Sequence, residues 1–154
     1  MSQTTKSKYG KDFLTPIVEV FWSNLSTPDI KFGNPNHSVT VVMTPELNLM
    51  VMDALKTLGG KKINALREHE GKKIIKFKNT LFAKGGGIQF PVMGPDLKPS
   101  TIIPFRPDTV RVVVSPILIE RDNSVSFYMK EIQLVSRNYV GNTVTFQDEV
   151  IPTT

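Results

Sequence analysis

DTVRVVVSPILIERDNSVSFYMKEIQLV, residues 108–135, carries the two longest strand signals of the chain. Asp108 to Ile119 and Ser124 to Val135 are dense in β-branched and aromatic residues, and Arg121-Asp122-Asn123 between them is polar turn chemistry. Such side chains suit a pleated, half-buried surface, so the pattern predicts a long β-hairpin. Upstream, Lys72 to Lys78 alternates: Lys72, Ile74, Lys76 and Lys78 share one face, and Lys73, Ile75 and Phe77 the other. That period of two marks another strand.

Working outward, Ile17 to Trp22 and Ser38 to Met43 read as strands, with turn chemistry at Ser26-Thr27-Pro28-Asp29 and Gly33-Asn34-Pro35-Asn36. Thr44-Pro45 looks like a helix start, with Thr44 as N-cap and Pro45 at the first helical position. Leu47, Met50, Val51, Ala54, Leu55 and Leu58 follow helical spacing up to Gly59-Gly60, and Lys61 to His69 reads as a second short helix. Leu81-Phe82 and Ile88-Gln89-Phe90 flank a flexible Lys84-Gly85-Gly86-Gly87 loop as strands. Gly94-Pro95-Asp96 and Lys98-Pro99-Ser100 mark a long connection, and Val144 to Phe146 adds an edge strand. The fold class is therefore mainly β, a small barrel or sandwich with an inserted helical segment at about 45–69. Residues 1–12 read as a disordered basic arm, 13–146 as one domain, and 147–154 as a short polar tail.

Composition excludes several functions. The 154 residues contain no cysteine, which removes disulfides, thiolate metal sites and cysteine nucleophiles and suits a reducing cytoplasm. Met1 to Lys6 lacks the apolar core of a secretory signal, and no apolar run approaches the roughly 20 residues that span a bilayer. The only imidazoles are His37, in a turn, and His69, between two glutamates; both read as surface histidines without catalytic or metal roles. Met50 and Met52 read as packing rather than as ligands. The triple glycine is no phosphate loop, because no Gly-Lys-Ser/Thr follows. Pro28-Asp29 with Glu70-Gly71-Lys72 matches the loose Pro-Asp…Glu-x-Lys layout of Mg²⁺ nucleases, a permissive pattern whose Asp29 sits in a proline turn. No cofactor is expected.

Charge is concentrated. Of a net +5, the segment from Lys56 to Lys84 carries +7, with nine lysines and arginines against Glu68 and Glu70, and the remainder carries −2. Such a stripe is the footprint of a polyanion partner or a plain solvated face. Trp22, Phe77, Phe82, Phe90, Phe105 and Tyr128 all lie near lysines or arginines in the sequence. Lysines that track phosphates beside rings that stack on bases are how single strands are held. Phe13, Phe21 and Phe127 read as core, and Trp22, at a strand end, reads equally as a surface ring or as a cap on the core.

The order of these features resembles phage single-stranded DNA-binding proteins of the podovirus type. Val20 to Gly33, with Leu25 and Thr27-Pro28-Asp29-Ile30-Lys31-Phe32, is similar to their opening aromatic strand and turn. Phe90 to Pro99 resembles their proline-rich connection, Asp108 to Val114 the strand after it, and Val125 to Val135 their last strand. The landmarks span residues 17 to 136. The resemblance implies an OB-fold barrel, closed or partly open, with an inserted helical segment. It implies sequence-independent binding of single-stranded DNA in phage replication and recombination, in the cytoplasm of the infected host. A homodimer and phage replication proteins are the other partners it implies. One departure stands out: only Asp148 and Glu149 represent the family's long acidic tail, which puts recruitment through such a tail in doubt. The backbone-tracking candidates are Lys72, Lys76, Lys78, Lys84, Arg111 and Lys130; the stacking candidates are Trp22, Phe77, Phe82 and Tyr128. The competing readings are the Mg²⁺ nuclease and a virion or tail β-sandwich protein.

Overall fold

A computed structural model describes residues 8–30 and 35–138. In chain order its elements are β1 (Lys8–Tyr9), β2 (Phe13–Leu14), β3 (Val18–Asp29), β4 (Asn36–Val42), α1 (Pro45–Leu58), β5 (Lys62–Ile63), β6 (Leu66–His69), β7 (Lys72–Asn79), α2 (Leu81–Lys84), β8 (Val92–Met93), β9 (Pro99–Ser100), β10 (Thr109–Ile119) and β11 (Ser124–Ser136).

Five long strands close on themselves. β3 pairs β4, β4 pairs β7, β10 pairs β11 and β10 returns to β3, all antiparallel, while β7 meets β11 in parallel. Numbered along the chain, the order around the barrel is first, second, third, fifth, fourth, which is the five-stranded Greek-key arrangement of the OB fold. The anticipated hairpin is β10–β11, turning at Glu120–Asn123 with Asn123 at φ 57°.

Alternation fills the barrel. Val110, Val112 and Val114 of β10 face Ile75 and Phe77 of β7, Val39 and Val41 of β4, and Val18, Val20 and Leu25 of β3 in one apolar cluster. β11 contributes Val125, Phe127 and Met129, then Ile132 and Leu134. The phase changes because Val113 pairs Glu131 while Val114 pairs Met129, leaving Lys130 as the extra residue of a bulge. Helix α1 adds Leu47, Val51 and Leu58. Its ends follow the sequence: Thr44 Oγ1 accepts from the Leu47 N–H at 3.1 Å, and Gly59 takes the left-handed conformation at φ 71°.

Several local expectations are corrected. The helix ends at Leu58; Lys61 to His69 forms two short strands, β5 and β6, joined by a turn at Asn64-Ala65, because β11 and β7 claim its backbone. The Lys61 N–H donates to Asn123 O (2.7 Å), the Asn64 N–H to Val125 O (2.9 Å), and β6 pairs β7 through a two-residue turn. Both turn residues, Glu70 (φ 53°) and Gly71 (φ 76°), are left-handed, as the preferred hairpin geometry demands. Ser26 to Asp29 prolongs β3 instead of turning. Its pairing with β4 skips from Asn24 to Asp29, so Pro28, which has no N–H to give, lies in an unpaired stretch. Ile88 to Phe90 is irregular rather than a strand. His37 is buried, not on the surface: Nε2 meets the Ile88 carbonyl, and its ring packs on Phe82 and Phe90. Lys8 and Tyr9 pair with Leu118 and Ile117 of β10, so the N-terminal segment is tied to the sheet from residue 8 onward. The edge strand read at Val144 to Phe146 and the tail 147–154 lie outside the described residues.

Phe77, at 0% exposure between Lys76 and Lys78, is a core residue. Phe77→Ala is expected to cost about 3–5 kcal/mol of stability, the range for truncating a buried aromatic, read as a shift of the urea midpoint at unchanged slope. A loss under about 1 kcal/mol contradicts that packing.

Candidate nucleic-acid interface

The outer face of the barrel is organised by cross-strand rungs. Trp22 pairs Thr40, and Thr40 pairs Lys76. One rung along, Asn24 pairs Ser38, Ser38 pairs Lys78, and Lys78 pairs Tyr128. Paired residues share a face, so two strips of polar, cationic and aromatic side chains cross three or four strands about 7 Å apart.

Between the rungs lies an opening. β7 pairs β6 over residues 72–75 and touches β11 at residue 78 alone. A cavity of about 350 Å³ fills the gap, walled by Lys76, Lys78 and Thr80 on one side, Ser126 and Tyr128 on the other, and Asn64, Ala65 and Arg67 across one end. A second depression, lined by Trp22, Thr40 and Ile74, shares Ala65, Arg67 and Lys76 with the first. The two lie side by side with these three residues between them, and together they form the grooved face that runs from Tyr128 to Trp22. Tyr128 is held at its tip, where the hydroxyl accepts from the Leu81 N–H at 3.3 Å.

A bulge sets the far end of the groove. Val20 pairs Val41 and Trp22 pairs Thr40, so Phe21 is the extra residue. Phe21 and Trp22 meet edge to face at 4.8 Å, and His69 packs on both. Arg106 lies 4.2 Å over the Phe21 ring and is held by Glu70 at 2.9 Å. Phe21 is thus buried outside the main core, beneath Trp22, and Trp22 remains 46% exposed.

Of the sequence candidates, the fold brings Lys76, Lys78, Tyr128 and Trp22 together. Lys72 stands exposed at the start of the same strand, 3.9 Å from Glu19, and Lys84 is exposed one helical turn past Thr80. Phe77 points inward and cannot stack on anything outside. Phe82 is half-buried against His37 and Phe90, with its N–H donating to Asn79 Oδ1, so its ring works as packing. Arg111, on β10, lies away from the groove, opposite Gln133 of β11. Lys130 is bound to Asp12 at 2.9 Å. Arg67 and Asn64 were missed as site residues, because the segment that carries them reads as a helix end. Arg67 was visible as part of the basic stripe, whereas nothing local marks Asn64.

Asp29 and Glu70 do not form a carboxylate pair. Trp22 touches His69, beside Glu70, whereas Asp29 lies seven residues further along β3, about 20 Å at strand rise. Among the described residues no three His, Asp or Glu side chains cluster as metal ligands, and no helix is long and apolar enough to cross a membrane.

This barrel is the fold of phage single-stranded DNA-binding proteins. It is similar to gp2.5, a single-stranded DNA-binding protein encoded by bacteriophage T7, with a TM-score of 0.63 at 16% identity, covering 93% of this chain and 98% of that one. It is also similar to the single-stranded DNA-binding protein of bacteriophage Enc34 in complex with single-stranded DNA, with a TM-score of 0.58 at 10% identity, covering 83% and 88%. No family model and no curated protein matches the sequence.

Ion pairs divide the basic side chains into engaged and available ones. The hydrogen bond from Lys130 lowers the Asp12 carboxyl below its ordinary range, helped by Ser115, and the same bond raises Lys130. Arg106 likewise lowers Glu70. Because Asp12 titrates lower in the folded chain than in the unfolded one, its pairing stabilises above the unfolded value of about 3.9 and is lost as pH falls through the folded value. Asp12→Asn is therefore expected to flatten the acid limb of Tm against pH below about pH 4, leaving the shape near neutrality unchanged. An unaltered acid limb contradicts the pairing.

Proposed function

We propose that the chain binds single-stranded DNA without sequence preference along the groove across β4 and β7. In this reading it coats strands during phage replication and recombination in the host cytoplasm, and it carries out no chemical step. The observation that carries the reading is the groove itself, in which Lys76 and Lys78 of the third barrel strand and Thr40 of the second, with Arg67 of β6, lie between the ring of Tyr128 on the fifth strand and that of Trp22 on the first. OB folds bind oligonucleotides on that face. Cations alone favour duplex DNA, whose charge is denser; ring faces reverse the order, because only unpaired bases offer free faces. The likeness to a protein solved with single-stranded DNA bound supports the same reading. Self-association and contacts with replication proteins belong to it as well; sedimentation at micromolar concentration tests the first.

Titration of fluorescent poly-dT over a range of salt provides the test. Three contacts, from Arg67, Lys76 and Lys78, predict a log–log slope of about −2, and Lys78→Ala lowers its magnitude by about 0.7. Tyr128→Ala costs about 1–3 kcal/mol for single strands and little for duplex, and Trp22 emission falls on binding. A slope of zero, or a preference for duplex at matched salt, overturns the function.

A further inference from the structure

The cavity between β7 and β11 holds one polar group that the positive charge around it does not explain. Both Nδ2 hydrogens of Asn64 are spent, donated to Ser124 Oγ and Ser126 Oγ at 2.8 Å each. The orientation of this amide is dictated by its neighbours. Ser124 gives its only hydroxyl proton to Asp122 Oδ1 at 2.6 Å, so toward Asn64 its oxygen can only accept, and the amide must turn its nitrogen that way. Asp122 is kept ionised by that same hydroxyl, with help from the Ser124 N–H, Lys62 and Arg121. Asn64 Oδ1 is left without a hydrogen-bond partner among the described residues, on a side chain that lines the cavity. Ser126, which also lines it, accepts from Asn64 and keeps its own proton to donate.

The platform under these atoms is rigid. The Asn64 N–H donates to Val125 O at 2.9 Å, and the Ala65 carbonyl accepts from the Lys76 N–H at 3.2 Å. Ala65 itself is held left-handed at φ 63°, a conformation costly for a side-chain-bearing residue and found where a site requires it.

Resting on the single-strand reading above, we infer that this cavity seats one base of the bound strand, with Asn64 Oδ1 and the Ser126 hydroxyl reading its Watson–Crick edge. An acceptor beside a donor is complementary to all four bases, because each carries an adjacent donor and acceptor on that edge: N3–H and O4 of thymine, N4–H and N3 of cytosine, N6–H and N1 of adenine, N1–H and O6 of guanine. Such a pair tolerates any sequence. It also rejects duplex, where those edges are already paired. Single-strand selectivity then has two sources, ring stacking and this edge contact.

The test compares a dT 12-mer with the same 12-mer methylated at N3 of every thymine, which deletes the edge donor. Measured by fluorescence anisotropy at low salt with the full chain, the methylated strand is expected to bind about 3- to 10-fold more weakly, the worth of one net hydrogen bond. Asn64→Leu, checked for an unchanged circular dichroism spectrum, should bind both strands alike. If Asn64→Leu does not fold, Ser124→Ala decides: it frees the amide to turn, and the gap should shrink below about 2-fold. Lys78→Ala weakens both strands equally and preserves the gap. Equal binding of the two strands by the parent chain overturns the inference, as does a gap that persists in Asn64→Leu or, where that variant does not fold, in Ser124→Ala, since steric exclusion of the methyl group would then account for it. Failure of the unmodified dT strand to bind at all overturns the single-strand reading instead.

Discussion

β7 and β11 run parallel and meet at one residue pair, Lys78 and Tyr128. The rest of the site depends on that contact. A barrel must close to leave no open edge, yet here the edges of the two closing strands are shared with others: β6 takes the first half of β7, and β5 takes the start of β11. What remains is a seam closed at one end and open above it. Asn79 locks the closed end, donating to the Met129 carbonyl at 2.8 Å and accepting from the Phe82 N–H at 3.0 Å. The opening above cannot collapse, because β6 and the Asn64–Ala65 turn prop it apart. The period of two along β7 then puts Lys76 and Lys78 at its rim and Phe77 behind it in the core.

Bulges decide which rings are available. Were β3 regular, Phe21 and Trp22 would face opposite sides of the sheet. The extra residue at Phe21 brings the two rings together over the same surface, with Arg106 and His69 covering the first and His69 alone packed on the second, which stays partly exposed. The bulge at Lys130 has the converse effect. It restores the inward phase of Ile132 and Leu134 and turns a lysine out to where Asp12 binds it. One device supplies a candidate stacking ring, and the other removes a cation from the candidate list.

Positive charge is likewise sorted by position rather than by amount. Arg67, Lys76 and Lys78 line one groove. Elsewhere Lys62, Lys72, Arg106 and Lys130 each lie near a carboxylate. Exposed ion pairs of this kind contribute little to stability. They do lower the charge that their lysines and arginines present to a polyanion, so the basic face narrows toward the groove.

The sequence by itself determined the β10–β11 hairpin, the inward and outward faces of β7, the capped helix from Pro45 to Leu58, and the basic stripe with rings beside it. Each is encoded within a few residues, as a period, a cap or a run of charge, and so survives without knowledge of the rest. What the tertiary structure alone decided is everything that depends on residues far apart in the chain. Lys61 to His69 has helical composition, but the free edges of β11 and β7 draw it into extended pairing. His37 looks like a surface turn residue until the loop at Ile88 closes over it. Phe82 reads as an exposed ring and becomes packing for the same reason. Asn64 carries no local signal at all; its orientation is set by Ser124 and Asp122, some sixty residues away, and only closure of the barrel brings them together.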